Sequence, residues 1–202
     1  MAETSRQEQK NRTRSLLVTA GLDLFARRGL SFARTADIAA SAGVSHGTVF
    51  VHFPTREDLL AAATEEFGTR VTRRIHELAE GGKRVRDLLA AHIECLIEFE
   101  PFYTRFVIEE SALPARVKNT LVMIQSSVAF HLSRAVEAET VAGAIRKMPF
   151  HLFFNTWLGL IHYYIAHAAS FAPAESVLKR HGHELLEHFV GLISRHDEGG
   201  EK

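Results

Sequence analysis

Cysteine is almost missing from this chain. Cys95 stands alone, which excludes an internal disulfide and a cysteine-based zinc frame and fits a reducing compartment. Proline is scarce, with five in 202 residues, and neither Asn-Gly nor Asp-Gly occurs, so the punctuation of β-hairpins is lacking. No sign of charge prevails, because 24 Lys and Arg face 24 Asp and Glu. Any nucleic-acid site must therefore be a local patch. The opening segment MAETSRQEQKNRTR has no apolar core of the kind a secretory signal carries, so a cytoplasmic protein is expected. What is present is ordinary for a folded chain: 46% hydrophobic and 24% charged residues, enough for one medium domain or two small ones.

Apolar residues recur at helical spacing almost everywhere, and sustained alternation is absent, so the expected class is all-α. Leu16, Leu17, Ala20, Leu24 and Phe25 mark a first helix from about Arg12 to Arg28, ended by Gly29. Two short helices follow, about Thr35 to Ala42 and Ser45 to His52, and then a long one from Arg56 to Leu78, broken at Gly81-Gly82. A fifth carries Val85 to Leu96. Pro101 and Pro114 each open a further helix, since a first-turn proline sacrifices no hydrogen bond. A last pair spans about Pro149 to Ser170 and Pro173 to Arg195, and the tail His196 to Lys202 is expected to fray.

The most informative stretch is TADIAASAGVSHGTVFVHF, residues 35 to 53. Two short helices crossing steeply need a small residue at the approach, here Ala39, and a residue tolerant of positive φ in the turn, here Gly43. Ile38, Ala42, Val44 and Val49 fall on the inward face, and Ser45 is placed to cap the second helix. This is the pattern of a helix-turn-helix.

Gly29-Leu30, Thr35-x-x-Ile38-Ala39-x-x-Ala42-Gly43-Val44-Ser45-x-Gly47-Thr48-Val49-Phe50-x-His52-Phe53 and Arg56-x-x-Leu59-Leu60 together resemble the N-terminal signature of the TetR family of transcriptional regulators. The resemblance covers about 45 of the 202 residues. It implies an N-terminal three-helix DNA-binding domain, residues 1–55, followed by a C-terminal helical ligand-binding and dimerisation domain, residues 56–202. Two positions depart from the family pattern. Phe50 replaces the usual tyrosine and so lacks a phosphate-binding hydroxyl. Ala33-Arg34 replaces hydroxyl residues before the second helix, leaving Thr35 as its expected cap and adding a cation.

The helix Ser45 to His52 is the expected major-groove reader. His46 is the direct reader, Gly47 admits close backbone approach, Thr48 bonds a base or phosphate, and Val51 meets a thymine methyl. Arg34, Thr35, Ser45, His52 and Arg56 are expected at phosphates. Residues 1 to 60 hold eight Lys and Arg against six Asp and Glu, with four of the cations before Leu16. That arm, with Lys10, Arg12 and Arg14, either follows DNA or is simply a solvated tail. A reader this short needs two copies on a two-fold axis, hence a homodimer on a near-palindromic double-stranded operator.

Residues 148 to 174 contain no Asp, Glu, Lys or Arg. The length invites a membrane span, but His151, Asn155, Thr156, His162 and His167 would be costly in lipid, so a helix buried on two faces is expected and no membrane partner. The resemblance implies that the last two helices form a four-helix bundle across the dimer. That assigns Phe153, Leu160, Tyr164, Leu178, Leu185, Leu186, Phe189, Val190 and Ile193 to the interface. It also implies a pocket for an unknown small-molecule effector that releases DNA. Phe99, Phe102, Tyr103, Phe106, Phe130, Phe154, Trp157 and His162 are expected near it, and the aromatic walls suit a lipophilic or flat ligand. Any single one of them, taken alone, fits an ordinary core better.

Twelve histidines raise the question of metal chemistry. His183-Glu184 with His188 is one residue too long for the zinc-protease helix motif, though His181, Glu184 and His188 share a side. No phosphate loop, nucleophile elbow or paired carboxylates appear, and Cys95 sits on an apolar stripe. The expectation is a non-enzyme with no cofactor and no metal: a ligand-responsive regulator, more in keeping with a repressor. Its rival is a helical small-molecule or metal-binding protein whose head does not bind DNA.

Overall fold

The computed structural model describes residues 2–82 and 84–195, with side chains from residue 5 onward; the tail from His196 lies outside them. The described residues form helices and no strands. In chain order these are α1 (Ala2–Arg28), α2 (Thr35–Ser41), α3 (His46–His52), α4 (Arg56–Glu80), α5 (Val85–Glu98), α6 (Glu100–Glu109), α7 (Ala115–Val141), α8 (Phe150–Ala166), α9 (Ala168–Phe171) and α10 (Val177–Ile193). A single 3-10 turn, Glu110–Ala112, precedes α7.

Two boundaries differ from the sequence expectation. The N-terminal arm is not a tail before α1 but part of it, since α1 begins at Ala2. Residues 2 to 14 are polar yet rich in Glu, Gln, Arg and Lys and free of Gly and Pro, so helix propensity carries the helix where no core does. The last helix starts at Val177 rather than Pro173. Ser176 takes the cap position with its hydroxyl accepting from the Lys179 N–H at 3.0 Å, and the Glu100 carboxylate accepts the Val177 and Leu178 N–H groups at 2.9 and 3.1 Å. Three of the four orphan donors of that helix end are thereby satisfied.

The chain divides into two compact units, Met1–Arg70 with Pro101–Ile124, and Val71–Glu100 with Gln125–Lys202. In the first, Leu17, Phe25, Leu30, Ile38, Val49, Phe53, Leu59, Leu60 and Phe106 are all at most 2% exposed, so α1, α2, α3 and the start of α4 share one apolar centre. α4 and α7 approach closely here: a Cβ on Gly68 would run into the Ile124 side chain. Phe67 packs on Phe102 and Tyr103 with ring centroids 6.0 and 5.5 Å apart.

The second unit is built on α5, α8 and α10. Gly182 of α10 sits where a Cβ would meet Ile93 of α5 at 2.8 Å. Trp157, fully buried, packs against Phe189 at 5.1 Å. Its indole N–H donates to His92 Nδ1 at 3.1 Å. An indole can only donate, so that nitrogen carries no proton. Burial, and secondarily His162, holds the His92 imidazole down at about 4.

Candidate nucleic-acid interface

The corner between α2 and α3 is made by backbone hydrogen bonds that only one kind of residue permits. The Val44 N–H reaches back to the Ala39 carbonyl at 3.0 Å and the Gly43 N–H to Ala40 at 3.2 Å, which is the Schellman arrangement. Gly43 lies at φ +69, while a Cβ there would meet nothing within 4 Å. The demand is thus on backbone conformation, not on space. Ile38, Ala39 and Val49 are buried at the crossing, as their spacing predicts.

Ser45 caps α3 with extended backbone, its Oγ accepting the Thr48 N–H at 3.2 Å and lying 2.8 Å from the Thr48 hydroxyl. The cap is as expected. At α2 it is not: Arg34 occupies the cap position, makes no side-chain capping bond, and leaves Thr35 as the first helical residue. A guanidinium only donates, so it cannot accept the free N–H groups of a helix start. The Thr35 hydroxyl instead pairs with His46 Nε2 at 2.9 Å. His46 also meets the Phe50 ring edge-on at 5.0 Å.

One face of α3 is consequently in solvent. His46, Gly47, Phe50 and Val51 are exposed, Phe50 by 46% and Val51 by 73%, and Thr48 is half-buried beneath its cap. Gly47 has only the Ser45 hydroxyl near its Cβ position, at 3.9 Å. Phe50, passed over as a reader in the sequence because it lacks a hydroxyl, stands on the same open face.

Arg56 is placed differently from the phosphate role expected of it. Its Nε donates to the Ala33 carbonyl at 2.9 Å, its guanidinium lies 5.7 Å from the Phe25 ring centroid, and one terminal nitrogen is buried without a partner. Burial draws its pKa below the usual arginine value, against the opposing pull of Glu57 and Glu109. This arginine ties the start of α4 to the segment before α2. Arg34, by contrast, is exposed.

A second cationic group gathers where α1 passes the end of α3. Arg14 lies over the Phe53 ring at 5.0 Å. His52 is half-buried with its Nδ1 shielded and unpaired, and burial, then Lys10 and Arg14, keep its imidazole below its ordinary value. Neutral itself near pH 7, His52 sits among fixed positive charges. Sequence reading grouped Lys10 and Arg14 with a loose arm; only the helical continuation of α1 brings them beside His52.

The head is also clasped from α6. The Glu109 carboxylate accepts the Leu30 and Ser31 N–H groups at 3.2 and 3.0 Å, and Arg105 donates to the carbonyls of Ala26 and Arg27 at 3.0 and 3.4 Å. Gly29, at φ +95, leaves room for that carboxylate: a Cβ would stand 2.9 Å from Glu109 Oε1. These two residues gave no signal in the sequence, because their partners are backbone groups about 78 positions away.

The residues expected at the dimer face divide by burial within one chain. Phe153, Leu178, Leu185, Leu186, Phe189 and Ile193 are each at most 4% exposed within one chain and belong to its own core. Leu160, Tyr164 and Val190 are half-buried. The apolar surface left open on α8 and α10 is Leu152 at 53%, Tyr163 at 57% and Leu192 at 46%, with Thr156, Gly159 and Gly191 also exposed.

The expected pocket residues fall into separate places. Phe102, Tyr103 and Phe106 are buried in the first unit around Phe67. Phe99, Phe154 and Trp157 are buried in the second, where His162 is half-buried. Phe130 does not join them; it is 58% exposed and lines a cleft with His76 and His131. Among the described residues no group of three or more His, Cys, Asp or Glu could hold a metal ion, and no helix is long and apolar enough to cross a membrane. Cys95 is half-buried, and burial pushes its thiol up to about 11, the opposite of activation.

A capped short helix at a Gly corner, with an open face and flanking cations, defines a helix-turn-helix head. The family model described as bacterial regulatory proteins, tetR family, matches residues 17–63, the part of the chain that holds this corner. An HTH-type transcriptional repressor of Mycobacterium tuberculosis is 43% identical over 63 residues, which cover 31% of this chain and 34% of that protein. The match thus spans about a third of that relative's length. The solved structure of the transcriptional regulator FadR from Bacillus subtilis in complex with stearoyl-CoA superposes with TM-score 0.70 at 18% identity, covering 89% of this chain and 98% of that one. The ketosteroid transcriptional regulator KstR2 of Mycobacterium tuberculosis superposes with TM-score 0.67 at 18% identity, covering 91% and 95%. At such identities the likeness is one of fold.

Proposed function

We propose that this protein is a ligand-responsive transcriptional repressor that binds a near-palindromic double-stranded operator as a homodimer in the cytoplasm and performs no catalysis. The observation that carries this reading is the outward face of α3, a capped seven-residue helix that buries Val49 on one side and leaves His46, Gly47, Phe50 and Val51 in solvent on the other. Gly47, Thr48, Phe50 and Val51 meet base edges, and His46 reads through its Nδ1 unless DNA draws it away from Thr35. Arg34, Thr35, Ser45 and the Lys10, Arg14, His52 group take phosphates. Residues 1–55 form the DNA-binding part, with Arg56 as its brace.

Two reading heads require two chains, and the exposed strip of α8 and α10, with Leu152, Gly159, Tyr163 and Leu192, is the surface we assign to the two-fold contact. Small residues on that strip allow close helix approach. A lipophilic or aromatic effector is supported by the aromatic content of both units and by a fold neighbour solved with stearoyl-CoA. Since α4 and α7 run continuously from one unit into the other, a shift in the second is handed to the first along the chain. There Arg105 and Glu109 pass it to the end of α1. The effector must favour one arrangement, or nothing moves.

Selection of binding sites from random DNA, followed by footprinting, tests the reading. The expected result is two half-sites related by a dyad, with affinity falling steeply as salt rises. Indifference to every oligonucleotide at low salt would refute it. Glu109→Gln should leave operator affinity within a few-fold of wild type while weakening release by effector.

A further inference from the structure

The end of α4, the Gly81-Gly82 turn and the middle of α7 enclose a half-open cleft of about 740 Å³ within the second unit. It lies in the size range of small-molecule sites. We propose that this cleft binds a small organic anion with an apolar body, Arg134 holding the charge and Phe130 with the neighbouring alanines taking the body.

The charges on the page favour this chemistry. Two acidic side chains line the cleft, and both are engaged: Glu139 accepts the Val85 N–H at 2.7 Å, and Glu80 pairs with His76 Nε2 at 3.4 Å. The Arg134 side chain is exposed and has no carboxylate partner among the described residues. Arg84 has only a loose contact with Asp87, at 3.9 Å, and its side chain is 72% exposed. The rings of His76 and His131 lie 5.0 Å apart, from α4 and α7 respectively. Burial, then His76 and Arg134, keep the His131 imidazole below its ordinary value, with Glu80 opposing. A bound anion beside these cationic groups would oppose that lowering.

The apolar half is equally defined. Phe130 is 58% exposed and stands edge-on to His131 at 5.3 Å. Ala79, Ala135 and Ala138 also line the cleft. A large exposed aromatic, three alanines and an unpaired guanidinium lining one cleft offer apolar surface for a chain or ring and a charge for a carboxylate. This is where Phe130, assigned to an effector pocket from sequence, finds surroundings that suit a ligand.

The proposal rests on the regulatory reading only for its consequence, so its test uses the full chain without DNA. Octanoate is titrated against the protein, with octanol and inorganic phosphate as controls, and the ring resonances of His76 and His131 are followed by NMR. Octanoate should bind at least about tenfold more tightly than octanol, the worth of one charge-assisted contact. It should also raise the His131 titration midpoint by about half a unit or more. Arg134→Gln, at an exposed position, should abolish that preference, and Arg134→Lys should restore part of it. No binding of octanoate, equal binding of octanol, an unmoved His131, or an unaffected Arg134→Gln would each overturn the assignment. Loss of operator binding elsewhere would leave these outcomes untouched.

Discussion

The α2–α3 corner and the α8–α10 faces both carry work proposed for a second molecule, DNA in one case and another subunit in the other, yet they are built on opposite terms. At the corner, structure and function occupy different sides of a seven-residue helix, and the inward residues are few. On α8 the buried arc of Phe153, Phe154, Trp157, Leu158, Ile161 and Ile165 takes most of the apolar side chains, leaving a strip of small and mixed residues outside. The lesson is that apolarity marks what the fold keeps for itself. The surface offered to a partner is whatever the fold does not need.

The largest test of this contrast is Trp157→Ala. It should cost about 3–5 kcal/mol, the range for emptying a large aromatic site, and leave His92 Nδ1 without its donor. Chemical denaturation will measure it, and the change should leave operator affinity of the remaining folded protein near wild type. A loss below 1 kcal/mol would mean that the second unit is not held as described.

Acid should act on the same centre. His92 is held at about 4 in the folded chain against 6.5 unfolded, so it is neutral when folded. The stability it contributes is full above about pH 6.5 and is lost as the pH falls toward 4, on the order of 3 kcal/mol in all. Denaturation midpoints at pH 7 and pH 4.5 should differ markedly in the wild type, and His92→Gln should shrink the difference.

Smaller effects belong to the corner. Gly43→Ala should destabilise by about 1–2 kcal/mol through backbone strain alone, since no atom obstructs a methyl there, and Gly43→Asn by less. Ser45→Ala should cost about 1 kcal/mol as a lost cap and lower operator affinity with it. Smallest of all, Arg34→Ala should leave stability unchanged and reduce the slope of log affinity against log salt by about 1. A change in base preference instead would move Arg34 from phosphate to base contact.

How much of this was legible beforehand depends on range. Gly29, Gly43, Ser45 and the Gly81-Gly82 break are local signals, and each falls where its chemistry predicts. Thr35 was misread as a cap because an Arg at the cap position is an unusual choice that only φ and ψ reveal. The tie from Arg56 to the Ala33 carbonyl gave no signal in the sequence because its acceptor is 23 residues away. The outer side of α8 was hard to read for a different reason: a helix apolar on most sides gives no periodic signal for which side is outermost. Phe130 could not be sorted from Phe102 or Trp157 by type, since burial separates them, at 58% against 2% and 0%.

Gly47 has one further implication. With only the Ser45 hydroxyl close to its Cβ position, nothing in the fold forbids a methyl there, and alanine is the better helix former by up to about 1 kcal/mol. A Gly47→Ala protein should therefore melt higher than its parent while gripping its operator less well. Selecting this chain for heat resistance alone would drive it toward a sturdier molecule with a poorer hold on the proposed operator.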